Sequence, residues 1–115
     1  FLCVDYLKSG AVGFWFGVAI FVPRLSLELL QSFKTGAVDE AESIRKEMVP
    51  FEDFRGEQGA RYSGSALHAA MDASGLAGGP VIPFAEDVPE EEQPRVKAML
   101  DKLHEAEKRF LQPQA

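Results

Sequence analysis

The chain has 115 residues, which is room for one domain, and its 46% hydrophobic and 26% charged residues exclude a disordered or collagen-like segment. A net charge of −6 with no run of Lys or Arg excludes a basic nucleic-acid reader, so no nucleic-acid partner is expected. The single cysteine, Cys3, excludes an internal disulfide and a cysteine-rich zinc site, gives no sign of secretion, and makes a reducing cytoplasm the expected location.

The sequence starts at Phe1 rather than methionine, as expected of a processed chain or a piece of a longer reading frame. Charge is uneven along it. Residues 1–36 carry three basic and two acidic groups, whereas residues 37–115 carry nine basic and sixteen acidic ones. The N-terminal part is therefore the one that reads as buried. Its centre, Ala11 to Val22, is the apolar run AVGFWFGVAIFV, bounded by Lys8 on one side and by Pro23 and Arg24 on the other.

Three readings compete for this run. A membrane span needs about 20 apolar residues, more than the flanking charges and proline leave. A secretory signal needs a basic start and a small-residue cleavage site, whereas Asp5 leads and Phe21, Val22 and Pro23 close. A strand buried on both faces reads as a continuous apolar run whose glycines mark close approach. The residues favour this third reading and predict a strand near Gly10–Gly17; no membrane partner is expected.

Helical periods follow. Pro23 suits a first turn, and Leu25, Leu29, Leu30 and Phe33 form one stripe that ends at Gly36, a C′ glycine. Ala41, Ile44, Met48 and Phe51 then step by three and four, predicting an amphipathic helix that Pro50 bends near its end. Gly56–Tyr62 reads as a polar loop. Ser63 or Ser65 is expected to cap a third helix carrying Leu67, Ala70 and Met71 and stopping at Gly75. Gly78, Gly79 and Pro80 force a turning path, and the VIPF segment after them is expected to be extended. Asp87 and Glu90–Glu92 favour a helix start, and Val96, Leu100, Leu103 and Phe110 stripe the last helix. Pro94 belongs in a first turn, so that helix starts near residue 93 or is distorted there. One strand with four helices leaves the strand's ladder groups without partners, the inventory of a part of something larger.

The order GAVGFW, GVA, VPRLSLELL, a Gly-terminated helix, an acidic-start helix containing a proline, and GGPV followed by a further proline resembles the end of the dihydrodipicolinate synthase and N-acetylneuraminate lyase family. The resemblance implies an α/β fold: the C-terminal fragment of a (β/α)8 TIM barrel plus appended helices, mostly α-helical in this chain. Residues 1–36 would hold the end of helix seven, strand eight (Gly10 to Val18) and helix eight (Pro23 to Lys34). Residues 37–115 would be the C-terminal helical extension. A whole barrel of this kind takes at least ~250 residues, so only its last third is present. Sugar-acid dehydratases of the family show a similar GVA followed by a proline-started helix.

In this family a lysine on strand six forms a Schiff base with pyruvate or another 2-oxo acid, and a tyrosine on strand five relays protons; neither strand lies in this sequence. No catalytic residue is therefore assigned within the chain. The six lysines read as solvated surface charge or, for Lys8 in DYLKSG, as part of helix seven. The site residues implied are Trp15, Phe16 and Gly17, as a wall of the substrate pocket at the C-terminal end of strand eight. The resemblance gives the Trp15 position a backbone carbonyl near the Schiff-base lysine. Packing of Trp15 and Phe16 as barrel filler is the equal alternative. Where many relatives have a polar Ser or Thr on the strand and Asn after GVA, this sequence has Phe16 and Ile20, which fits a smaller or more apolar substrate.

His68 and His104 carry no metal or catalytic pattern, Cys3 reads as an inert thiol, and no metal-ligand spacing or phosphate loop is found. The expected function is that of the C-terminal part of a Schiff-base-forming class I aldolase or dehydratase, a lyase acting on pyruvate, a related 2-oxo acid or a sugar acid. No cofactor and no metal are expected, and the family analogy implies a homo-oligomer, a tetramer. The rival reading is a small helical interaction module that docks through residues 11–22 without chemistry. A membrane-anchored helical protein is a third.

Overall fold

Apolar residues spaced by three and four build most of this chain as helices. A computed structural model describes residues 1–111. Its helices are α1 (Cys3–Lys8), α2 (Pro23–Lys34), α3 (Val38–Ala60), α4 (Ser65–Ala73) and α5 (Gln93–Lys108), with 3₁₀ turns at Gly17–Ile20 and Glu90–Glu92. There is no β-strand among the described residues.

The predicted strand at Gly10–Gly17 is thus corrected. Residues 10–16 run without regular structure, and although Phe16 is extended (φ −151°, ψ 156°), Gly17 already begins the 3₁₀ turn. A strand needs a neighbour to take its N–H and C=O groups, and none is present among the described residues.

Leu25 and Leu29 of α2, Ile44, Met48 and Phe51 of α3, and Val96 and Leu100 of α5 are all fully buried. These three helices form the centre, with α2 packed on α3 and α5 lying against both. Val4 and Leu7 bring α1 onto α3, and Ala66 and Ala70 let α4 approach α5 closely. The molecule measures 43 × 37 × 19 Å, so it is about two helix diameters thick.

Helix starts and stops follow the residue types in part. Pro23 opens α2 as expected, and Gly36 closes it with φ +89°, the Ala37 N–H bonding the Ser32 carbonyl at 2.8 Å. Within α3 the break comes at Glu57–Gly59 and not at Pro50: Gln58, Gly59 and Ala60 all take positive φ. The polar loop expected from Gly56 corresponds to this left-handed turn. It is held from both sides, since the Arg55 Nε donates to the Ser63 carbonyl (2.8 Å) and the Arg95 guanidinium pairs with Glu57.

Neither serine caps α4; Gly64 is its N-cap, and the buried Ser65 hydroxyl has no hydrogen-bond partner among the described residues. Gly75 stops the helix with φ +79°, as expected. The VIPF segment has no regular structure at Val81 and Ile82 and then turns at Pro83 and Phe84, with the Ala85 N–H on the Ile82 carbonyl at 2.9 Å. The last helix starts at Gln93 with Pro94 in its first turn, as the proline requires.

The Gly78–Gly79 corner is clamped by α4. Asp72 Oδ1 accepts the N–H of Gly78 (2.8 Å) and of Gly79 (3.3 Å), while His68 Nδ1 donates to the Gly78 carbonyl (2.9 Å). A Cβ at Gly78 would lie 2.2 Å from the His68 carbonyl oxygen, whereas a Cβ at Gly64 would meet open space. Gly78→Ala is expected to cost about 2 kcal/mol or more, against under about 0.5 kcal/mol for Gly64→Ala, read from urea denaturation midpoints of the two variants.

Candidate functional site

The apolar run between α1 and α2 makes a cleft. Phe14, Trp15 and Phe16 line it together with Ala19, Pro23 and Leu27, around a volume of about 330 Å³. Phe16 stacks on Phe14 with ring centroids 4.5 Å apart and meets the edge of Phe1 at 5.2 Å. Aromatic contacts of this kind hold the rings in place without a ladder beneath them.

Of the three sequence-predicted wall residues, two line the cleft and one does not. Trp15 lies at its rim with 99% of its surface exposed, and Phe16 is half-buried. Gly17 faces α4 instead: a Cβ there would come within 2.7 Å of the Leu67 methyl groups. The absence of a side chain at Gly17 thus lets the 3₁₀ turn settle on α4.

The chemistry of the cleft is that of an apolar surface. Its polar side chain, Ser26, spends its hydroxyl on the Val22 carbonyl at 2.9 Å. Among the described residues no titratable group lines it. The lysines sit elsewhere, several in exposed ion pairs: Lys8 with Glu42 (3.3 Å), Lys97 with Asp101 (2.8 Å) and Lys108 with Glu105 (2.9 Å). Among the described residues no group of three or more His, Cys, Asp or Glu side chains is placed to hold a metal ion. No helix among them is long and apolar enough to cross a membrane.

Two polar clusters had gone unassigned in the sequence. One is the His68–Asp72 clamp, whose i, i+4 spacing ahead of a Gly-Gly pair is its sequence signal. The other joins α5 to the start of α2. The Glu107 carboxylate, 7% exposed, accepts the Leu25 N–H at 3.1 Å, and His104 Nε2 donates to the Phe21 carbonyl at 3.2 Å. Glu107 lies four residues after Leu103, on the α5 stripe, where an apolar residue would be expected; that mismatch is its signal.

Cys3 is buried on α1, and burial pushes its thiol up to about 11. A thiol of this kind is protonated at neutral pH and a poor nucleophile.

No family model, curated protein or solved structure matches the chain.

The Cys3 thiol yields a pH prediction. Its folded value of about 11 lies above the usual 9.0, so the folded state keeps a proton that the unfolded state loses between these values. This contribution to stability is complete below pH 9.0 and is lost as the pH rises towards about 11. Urea midpoints measured across that window should fall less steeply for Cys3→Ala than for the wild type.

Proposed function

We propose that the chain is the C-terminal third of a (β/α)8 barrel of the dihydrodipicolinate synthase and N-acetylneuraminate lyase type. The full polypeptide is then a lyase of the cytoplasm that acts on pyruvate, a related 2-oxo acid or a sugar acid. Its Schiff-base lysine lies outside this chain. Residues 1–9 would then correspond to the end of helix seven, Gly10 to Val18 to the position of strand eight, which here is an irregular segment running into the 3₁₀ turn, α2 to helix eight, and α3 to α5 to the appended helices.

One observation carries this reading. Residues 10–16 form an apolar segment with no ladder among the described residues, with Val12 88% and Trp15 99% exposed, beside helices whose central apolar residues, Leu25, Leu29, Ile44, Met48, Val96 and Leu100, are fully buried. Such a segment fits a strand whose neighbours belong to the rest of a barrel.

In the proposed reaction the lysine amine adds to the 2-oxo carbon and water leaves, giving an iminium that accepts the electron pair of the breaking bond. This chain supplies the wall of the pocket: the Trp15 carbonyl beside the lysine, and the apolar side chains of Phe14 and Phe16. The same exposed cleft also favours the second reading, an interaction module that docks an apolar partner there.

Borohydride treatment of the full polypeptide with pyruvate is expected to trap one reduced pyruvyl group per chain, on a lysine outside these 115 residues. An intact native mass of 12.6 kDa with no adduct would overturn the enzyme reading and leave the module. Trp15 supplies an independent check. In the full polypeptide the fluorescence lost on Trp15→Phe should be a component shielded from acrylamide, whereas a free cleft leaves that component fully quenchable.

A further inference from the structure

The start of α2 is completed by a residue 82 positions away in sequence. Pro23 has no N–H, and the Ser26 N–H bonds the Val22 carbonyl at 3.1 Å, so Leu25 carries a first-turn donor still to be satisfied. Val22, the N-cap, offers no side-chain acceptor. Glu107 of α5 provides one from inside the core, at 3.1 Å. One turn earlier on the same face of α5, His104 Nε2 meets the Phe21 carbonyl at 3.2 Å. A carbonyl only accepts, so this nitrogen carries the proton. Together the two side chains hold both ends of the Phe21–Leu25 corner.

That corner is tied in turn to the cleft. The Phe21 and Val22 N–H groups both bond the Val18 carbonyl, at 3.2 and 3.0 Å, and the Ala19 N–H bonds the Phe16 carbonyl at 3.3 Å. A run of hydrogen bonds thus leads from α5 through the corner and the 3₁₀ turn to Phe16. Pro23 and Ser26, within or next to the corner, also line the cleft. A buried carboxylate costs far more to desolvate than an apolar side chain, so its place on the α5 stripe needs a compensating contact, and the α2 amide is that contact.

We propose that His104 and Glu107 are positioning residues for the Phe14–Phe16 wall, so that α5 sets the geometry of the substrate pocket. The inference rests on the lyase reading for what the pocket does. The clamp itself rests on the contacts described. Neither residue touches substrate; both act through the corner.

The test uses the full polypeptide in wild-type, E107A and E107Q forms, because glutamine keeps an oxygen acceptor at nearly the same reach. By hydrogen exchange, E107A is expected to speed the Leu25 amide about tenfold, with smaller increases at residues 18–22 and little change in α3, while E107Q stays within about threefold of the wild type. With pyruvate as the probe, E107A should lower the maximal rate of adduct formation about tenfold with half-saturation within about twofold, and E107Q should recover most of the loss.

Unchanged exchange at 18–25, equal acceleration throughout α3, or wild-type adduct formation in E107A would overturn the positioning role. Absence of an adduct in the wild type would instead overturn the lyase reading, and with it the role assigned to the wall, whatever the exchange pattern. The two failures are thereby distinguishable.

Discussion

The structure depends on one three-way burial, in which α2 and α5 pack their apolar stripes against α3. Phe51 stands near its middle and meets Phe21 edge-on at 5.2 Å, so the ring that fills the core also anchors the end of the 3₁₀ turn. Each large side chain fully buried there contributes about 1.5–3 kcal/mol, and Leu25, Leu29, Ile44, Met48, Phe51 and Leu100 are all of this kind. The remaining elements are attached to this centre. α1 sits on α3, α4 on α5, and the apolar cleft is left between the first 30 residues.

Surface charge adds direction more than stability. Ion pairs such as Lys97–Asp101 and Arg61–Glu86 are well exposed, and pairs of this type are individually weak. Arg95 differs in making several contacts at once. Its guanidinium holds Glu57, where the backbone leaves the helix, and lies 4.9 Å from the centre of the Phe54 ring. It fixes how the end of α3 meets α5.

Most helices were legible from period and punctuation. Leu25, Leu29, Ile44, Met48, Val96, Leu100 and Leu103 were readable as core, and Pro23, Gly36, Gly75 and Pro94 marked boundaries close to those observed, because these residues restrict the backbone locally. The strand was not decidable in this way. An apolar run such as AVGFWFG becomes a strand only when another strand lies beside it, and that information is not local. The missing caps at Ser63 and Ser65 show the same limit, since the chain enters α4 through Gly64, whose backbone is already right-handed helical (φ −80°, ψ −45°). At the candidate site, Trp15 and Phe16 were assigned to a pocket wall only through the family resemblance, with plain packing as the equal alternative, because residue types alone do not separate the two. Gly17 could not be assigned to α4, nor Glu107 to the α2 amide, because both contacts depend on elements distant in the sequence.

The two contacts from α5 to the Phe21–Leu25 corner also set an order of events during synthesis. They join positions 82 and 83 residues apart, whereas α2 and α3 are separated by only the short connection around Gly36. The α2–α3 hairpin can form as soon as both helices have emerged from the ribosome. The first turn of α2 must wait, hydrated, until the last helix is made.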